Sequence, residues 1–177
     1  MKIRAENVQE ESGQTDGVYF VSPFEGNVYA ATDTPARDVT SNVPAMKSAK
    51  TTAEAVTVIV PLNLPLARTA TSRGAKITSV ELYYKVGSAA CTAVSLAVYK
   101  VTLAADGTAL SAAEVAGAKD LADDDCIDAD EHTITWTPTT PAFIGDNEFW
   151  YAVLSLTKAT GTDLYWYGAL INFTRAL

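Results

Sequence analysis

Few side chains in this sequence could do acid–base chemistry, and they do not form a catalytic pattern. The chain has one histidine, His132, which precedes an alternating run. A hydrolase triad needs such a residue beside an activated serine or cysteine, and no Gly-x-Ser-x-Gly motif is present. We interpret His132 as a structural histidine at the edge of a strand. One histidine without a CxxC motif also argues against a zinc site.

Three acids lie on or beside predicted strands and have the chemistry of glycoside hydrolysis, which uses two carboxylates across a cleft. They are Glu81, Glu148 and Asp163. Any sheet protein carries acids at such positions by chance, so they do not indicate an enzyme. We predict a non-catalytic protein with no catalytic residues and no cofactor.

An acidic run, residues 120–131, begins at Asp120 and ends at Glu131. Its carboxylates are the oxygen ligands that Ca²⁺ prefers. The run lacks the Asp-x-Asp-x-Asp-Gly order of an EF-hand, and no glycine makes the sharp turn. A Ca²⁺ site is one reading. The other is a solvated loop that protects a strand edge from aggregation.

The aromatic residues are the most distinctive group. They occur side by side in residues 83–84, 149–151 and 165–167. Neighbours on a strand point to opposite faces, so at least one member of each group must face outward. Such rings suit a sugar-stacking strip, a subunit interface or a surface covered by the N-terminal residues. The candidate interface residues are Tyr19, Phe20, Phe24, Tyr29, Tyr83, Trp150 and Trp166.

The charge balance excludes some partners. The chain carries a net charge of −8, so nucleic acid and anionic membrane surfaces are not expected partners. From Asp106 to Asp163 there are 12 acids and two bases, a net of −10. This asymmetry favours a solvated acidic loop, and it would also allow head-to-tail packing of copies.

The two cysteines, Cys91 and Cys126, lie far apart in sequence. They form no metal or redox motif, and the sequence leaves open whether they are bonded. The first residues include no apolar stretch typical of a signal peptide. No apolar run approaches the roughly 20 residues of a membrane span. We therefore expect synthesis in the cytoplasm.

From residue 53 onward the pattern is typical of strands. Strands are predicted at residues 54–60, 77–86, 91–103, 132–137, 148–157 and 163–173, and a short helix within residues 109–125. Without crossover helices, antiparallel pairing in two packed sheets is expected. The predicted fold class is an all-β antiparallel sandwich, jelly-roll-like, with an immunoglobulin-like topology as the alternative.

Residues 1–50 have a different composition from residues 51–177, the predicted sandwich domain. They are rich in Thr, Asp, Asn, Pro and Gly, with short apolar pieces such as residues 17–21 and 27–31. Such a segment cannot bury enough apolar surface to fold alone. We predict an extended N-terminal arm that is held by the domain or by a neighbouring subunit.

In the order and residue pattern of its strands, the chain resembles β-sandwich virion structural proteins of tailed bacteriophages. The resemblance lies in residues 74–86, 98–100 and 146–153, the acidic run, and the strand that begins at His132. It implies a capsid decoration or cement protein, or part of a fibre attached to head or tail. Proteins of this kind commonly form trimers and use N-terminal extensions to hold the shell.

Two functions are therefore open. The first is a virion structural protein, synthesised in the host cytoplasm, that assembles with itself and with a major capsid or other virion protein. The second is a carbohydrate-binding module that recognises host or surface glycans through a strip including Tyr83, Trp150 and Trp166.

Overall fold

The computed structural model describes residues 14–25, 27–30, 34–40, 42–49, 53–62, 64, 74–103, 110–120, 127–141, 143–145 and 147–176. Within them the strands are, in chain order, β1 (Gln14–Val21), β2 (Asn27–Ala30), β3 (Ala36–Thr40), β4 (Val43–Ala49), β5 (Glu54–Pro61), β6 (Gly74–Val86), β7 (Ala93–Thr102), β8 (Ala112–Glu114), β9 (Gly117–Asp120), β10 (Glu131–Pro138), β11 (Glu148–Lys158) and β12 (Asp163–Ala176). The described residues contain no helix long and apolar enough to cross a membrane.

The strands form two antiparallel sheets. The large sheet has seven strands in the order β3-β4-β12-β6-β10-β9, with β1 also paired to β12. The small sheet has five strands in the order β2-β5-β11-β7-β8. The first residues of β12 pair with β4 and its later residues pair with β1, while its other edge pairs with β6. The chain is an all-β, jelly-roll-like sandwich, as the sequence predicts.

The core lies between the two sheets and follows the alternation of the strands. On β6, Val80, Leu82 and Tyr84 are buried, while their neighbours Glu81 and Tyr83 point outward. This alternation was predicted and is confirmed.

Two predicted surface aromatics belong to this core instead. Trp150 on β11 and Trp166 on β12 are only 3% and 0% exposed. The prediction that they lie on an exposed strip is wrong, because their flanking aromatics take the outward positions. The two side chains also belong to different sheets.

A buried charge joins the two sheets at one end of the sandwich. Lys158 on β11 is fully buried. Its Nζ lies 3.5 Å from Oε1 of Glu54, also on the small sheet, and 3.1 Å from Oγ of Ser48 on β4 of the large sheet. No hydrogen bond to Glu54 Oε1 has good geometry, so the Lys158–Glu54 contact is an ion pair with poor alignment.

The described part of the predicted arm lies on its own chain. β1 pairs with β12 from Gln14 opposite Ala176 to Val21 opposite Ala169. β2 pairs with β5, β4 pairs with β12, and β3 completes the edge beside β4. The arm was predicted to be held either by its own domain or by a neighbouring subunit. The described strands β1 to β4 are held by their own domain.

The predicted helix is wrong where the structure describes it. Within residues 109–125 the chain instead forms β8 and β9, short strands at the edges of the small and the large sheet. Gly117 explains part of this difference, since a Cβ atom there would collide with the buried indole of Trp136. The close contact between β9 and β10 therefore requires a glycine at position 117. Glycine also disfavours a helix.

Candidate functional site

The outer face of the large sheet carries a group of aromatic side chains. Alternation along β6 directs Tyr83 outward, and alternation along β12 does the same for Tyr165 and Tyr167. Phe20 on the neighbouring β1 is 52% exposed and lies opposite Leu170 of β12. Because β1, β12 and β6 are adjacent, these rings lie on one continuous surface, which we call the tyrosine face.

The tyrosine face contains a cavity of about 450 Å³ at one end and another of about 430 Å³ near its centre. The central cavity combines aromatic and aliphatic side chains with one carboxylate, and it is lined by Phe20, Val43, Tyr83, Glu131, Tyr167 and Leu170. The end cavity is more polar in character and is lined by Asp16, Gly17, Val18, Thr78, Asn172 and Phe173. The face is thus a grooved surface, with aromatic and polar sections.

A β-bulge places Tyr167 at the central cavity. The register between β12 and β6 shifts between Trp166 and Gly168, so Tyr167 is the extra residue. Bulges commonly re-aim a side chain next to a binding site. A second shift, between Asn172 and Phe173, makes Thr78 the extra residue of β6, and Thr78 lines the end cavity. Each cavity therefore has its own bulge.

Gly168 makes the first bulge possible. Its φ of 117° is a conformation that residues with a Cβ rarely adopt. A Cβ at this position would lie 2.5 Å from the backbone oxygen of Val21 and 3.0 Å from the ring of Phe20. The glycine thus permits β1 to approach β12 and brings the Phe20 ring to the face.

Glu81 is held as a fixed hydrogen-bond acceptor beside Tyr83. Its Oε2 accepts a hydrogen bond of 2.7 Å from the Tyr83 hydroxyl, and its Oε1 accepts one of 2.8 Å from Nδ2 of Asn172. Asn172 Nδ2 also donates to Ser79 Oγ at 2.9 Å. Burial, with the hydrogen bond to Glu81, raises the pKa of Tyr83 to about 12. These contacts fix four polar groups across β6 and β12, namely those of Ser79, Glu81, Tyr83 and Asn172.

Two ion pairs flank the rings. Lys47 Nζ lies 2.9 Å from Asp163 Oδ2 and 5.0 Å from the centre of the Tyr165 ring. The hydrogen bond to Asp163 is the main reason why the pKa of Lys47 is raised. On the other side, Lys85 Nζ lies 3.4 Å from Glu131 Oε1. Lys47 and Lys85 are therefore each neutralised by a neighbouring carboxylate.

The three candidate carboxylates of glycoside hydrolysis do not come together. Glu81 and Asp163 belong to the large sheet, whereas Glu148 begins β11 of the small sheet. Glu148 accepts hydrogen bonds from the Gly145 backbone N–H at 3.1 Å and from Trp150 Nε1 at 3.3 Å. The bond from Gly145 is the main reason why the pKa of Glu148 is lowered. Glu148 thus has a structural role at a turn.

His132 and Cys91 add no chemistry to this face. His132 is buried, and its Nε2 lies 3.0 Å from the backbone oxygen of Asp128 and 3.2 Å from its Oδ1. These contacts agree with a structural histidine. Cys91 is buried and free, and burial raises its pKa to about 11. Cys126 lies outside the described residues.

No group of histidine, cysteine or acidic side chains suited to a metal occurs among the described residues. The proposed Ca²⁺ loop from Asp120 to Glu131 includes residues 121–126, which lie outside that range. A Ca²⁺ site there stays a prediction.

The predicted interface residues separate into different environments. Phe20 and Tyr83 meet on the tyrosine face, whereas Tyr19 packs inward against the core. Phe24 is exposed beside the Arg37 guanidinium, 4.9 Å from its ring centre. The backbone of Tyr29 lies in β2, and its side chain is outside the described residues.

The candidate interface residues predicted from the sequence do not include four residues of the face, namely Tyr165, Tyr167, Glu131 and Asn172. For the two tyrosines a signal existed, since strict alternation around an inward Trp166 places both outside. No local pattern identifies Asn172, because its partners Ser79 and Glu81 come from a strand about ninety residues earlier in the chain.

Comparison with known proteins gives likenesses of structure only. No family model and no curated protein matches the chain. TmCBM61 in complex with β-1,4-galactotriose aligns over 86% of this chain and 90% of its own, with 10% identity and a TM-score of 0.47. A family 11 carbohydrate-binding module from Clostridium thermocellum, in complex with a mixed-linked tetrasaccharide, aligns over 88% and 95%, with 10% identity and a TM-score of 0.40.

A variant of CBM29-2, from a study of ligand recognition by family 29 carbohydrate-binding modules, aligns over 89% of this chain and 91% of its own, with 11% identity and a TM-score of 0.33. At such scores the likenesses do not decide what this chain binds. None of the comparisons supports the predicted resemblance to virion proteins of tailed phages.

Proposed function

We propose that this chain is a carbohydrate-binding protein without catalytic activity, and that it holds a glycan on the tyrosine face. The observation that carries the proposal is the central cavity. There the rings of Tyr83, Tyr167 and Phe20 lie beside the Glu131 carboxylate, and the hydrogen-bonded Glu81 adjoins Tyr83.

This combination matches the chemistry of a sugar. A pyranose ring presents C–H groups on its faces and hydroxyls around its edge. Aromatic rings offer a flat apolar surface for the former. Carboxylate oxygens and the oxygen of a side-chain amide accept hydrogen bonds from the hydroxyls. A few well-placed polar groups within an apolar surface are typical of small-ligand sites.

The charges of the face favour a neutral glycan. Lys47 and Lys85 are paired with Asp163 and Glu131, while Glu81 adds a further carboxylate whose partners are the neutral groups of Tyr83 and Asn172. A uronic acid or a sulfated sugar would bring negative charge toward a face with excess negative charge, on a chain whose net charge is −8. Repulsion between the negative charge of such a sugar and the carboxylates of the face would disfavour binding.

A matched pair of tyrosine variants tests the site. Tyr83→Ala removes a ring from the tyrosine face, and Tyr151→Ala removes one from the outer face of the small sheet. We expect isothermal titration with a neutral oligosaccharide chosen from an array screen to show at least tenfold weaker binding for Tyr83→Ala only. If the two variants bound the oligosaccharide with the same affinity, the ligand would lie outside the tyrosine face.

The virion function stays a prediction. It depended on an arm that exchanges between subunits, and β1 to β4 instead pair within the chain. Residues 1–13 lie outside the described range, so an arm restricted to them is untested. Attachment to a capsid protein and location in a virion likewise remain predictions from the resemblance alone.

A further inference from the structure

The outer face of the small sheet differs sharply from the tyrosine face because its central strands carry no charged side chain there. The register aligns three successive rows across β5, β11 and β7, which are Pro61–Tyr151–Tyr99, Ile59–Val153–Ala97 and Thr57–Ser155–Ser95. Phe149 extends the aromatic end and is 36% exposed. We call this surface the apolar face.

The strands of the apolar face have sequences typical of strands that are buried on both faces of a sheet. β11 has six consecutive apolar residues from Phe149 to Leu154, and β5 runs Val-Ile-Val-Pro from residue 58 to residue 61. A sheet with one face in water normally alternates apolar with polar residues, whereas continuous apolar runs are typical of strands buried on both faces. In the single chain, only the inward side of these strands reaches the core.

The aromatic end of the face is already ordered. The Tyr99 and Tyr151 rings stack with their centres 5.5 Å apart, and Phe149 stacks on Tyr151 at 6.1 Å. At one edge of the face, Glu114 of β8 forms an ion pair with Lys119 of β9, the edge strand of the other sheet. An apolar centre with a charged rim is the usual anatomy of a protein interface.

We propose that a second copy of this chain covers the apolar face, which forms a symmetric dimer by packing sheet on sheet. A two-fold axis parallel to the strands would place rings against rings, aliphatic side chains against aliphatic side chains and hydroxyls against hydroxyls. The face is therefore complementary to itself, as an isologous interface requires.

Charge and area both favour this occupant. Each copy carries a net charge of −8, and this face brings two copies together without opposing any acid to another acid at its centre. The five strands have 4, 8, 11, 10 and 3 residues, and at about 4.8 Å between strands and about 3.3 Å per residue they cover roughly 570 Å². The dimer then buries about 1,100 Å² in total, above the roughly 1,000 Å² that a specific interface needs.

The test measures the mass of the full chain in solution by sedimentation over a hundredfold range of concentration. We expect twice the chain mass at the upper end. Ala97→Arg and Ser155→Arg each place a charge on the apolar face and should give a monomer with an unchanged circular dichroism spectrum. Thr137→Arg is the control, because Thr137 is exposed on β10 of the other sheet, and it should remain a dimer.

If Ala97→Arg fails to fold, Ser155→Arg decides, because it lies at the hydroxyl end and replaces no apolar contact. A monomer at every concentration would overturn the proposal, and so would a trimer. A dimer that survives both charged variants would also overturn it, since the contact would then lie elsewhere. The proposal does not depend on glycan binding.

Discussion

The polar groups of the tyrosine face act through the positions in which their neighbours hold them. Glu81 illustrates this, because both of its oxygens accept hydrogen bonds from side chains of the face. Its carboxylate therefore does not need to reorient when a ligand arrives, so little side-chain entropy is lost on binding. Tyr165 has a similar support, donating to Asp163 Oδ2 at 3.3 Å.

The first prediction concerns the ionisation of Tyr83. Glu81→Gln removes a nearby negative charge, so the pKa of Tyr83 should fall from about 12 toward its ordinary value of 10.0. The remaining shift would report burial, which is the larger cause. Ultraviolet titration of tyrosinate measures the change, with Tyr83→Phe identifying the signal. An unchanged curve in Glu81→Gln would contradict the contact.

The same shift has a consequence for stability. The folded pKa of Tyr83 is raised above the unfolded value, so the protonated form is favoured in the folded state. The resulting stabilisation is fully present below pH 10 and is lost as the pH rises from 10 to about 12. Denaturation in urea across this interval should show a smaller alkaline loss for Tyr83→Phe than for the unmodified chain.

A further prediction at this scale concerns the buried Lys158. Removing one member of a buried ion pair is strongly destabilising, by about 3–5 kcal/mol. Lys158→Met should therefore lower the free energy of unfolding by about that amount, and the double variant Glu54→Leu/Lys158→Met should recover a large part of it. A double variant less stable than the single one would show that the pair itself stabilises the fold.

At the scale of elements, the sequence predicted the central strands well and the strands toward the sheet edges poorly. β5, β6, β10, β11 and β12 have alternation or β-branched runs that are visible locally. β3, β4, β8 and β9 were missed because β3, β8 and β9 have only three to five residues and β4 contains Pro44. Pairing with neighbouring strands, which no local pattern reveals, makes these segments strands. β9, for example, is a strand because it pairs with Thr135 to Pro138 of β10.

The candidate site was predictable only in part for the same reason. The sequence required an outward aromatic in each cluster but did not say which member of a triplet turns inward. The bulge at Tyr167 needs the positive φ of Gly168, and a lone glycine in a strand signals such a bulge without locating its partner. The cavity forms from Phe20 of β1 and Tyr83 of β6, which only the fold brings together.

Gly168→Ala tests this element directly. The substitution combines a disfavoured φ with a collision at Val21, so it should destabilise the protein by roughly 1–3 kcal/mol and weaken glycan binding. Gly161→Ala is the matched control, with a φ of 74° and open space around the position. Backbone strain should lower its free energy of unfolding, measured in urea, while its affinity for the glycan stays unchanged. Equal loss of affinity in both would contradict a specific role for the bulge.

At the scale of the whole molecule, the N-terminal strands complete the sandwich. β4 and β1 cover successive parts of one edge of β12, and Ser48 of β4 contacts the buried Lys158. Deleting residues 1–49 should therefore expose this edge and the buried charge, giving an unstable or aggregating product. A stable, folded product from this deletion would restore the view of the segment as a separate arm.

The two proposals assign different roles to the two outer faces of the molecule. One face has aromatic rings with fixed polar groups and cavities, as a sugar site requires, and the other is apolar at its centre and suits a second copy. A dimer joined through the apolar faces would direct its two tyrosine faces outward in opposite directions. Such an arrangement would let one dimer bind two glycan chains, with a gain in avidity on a surface that carries many of them.

Glycan binding by the purified full-length chain tests the central claim most directly. An array of neutral and acidic glycans is screened first, and the strongest neutral hit is then titrated by calorimetry against the unmodified chain, Tyr83→Ala and Tyr167→Ala. The proposed function predicts binding to neutral glycans that falls at least tenfold in each variant while the circular dichroism spectrum is preserved. No binding to any glycan, or binding that both variants retain in full, would contradict it.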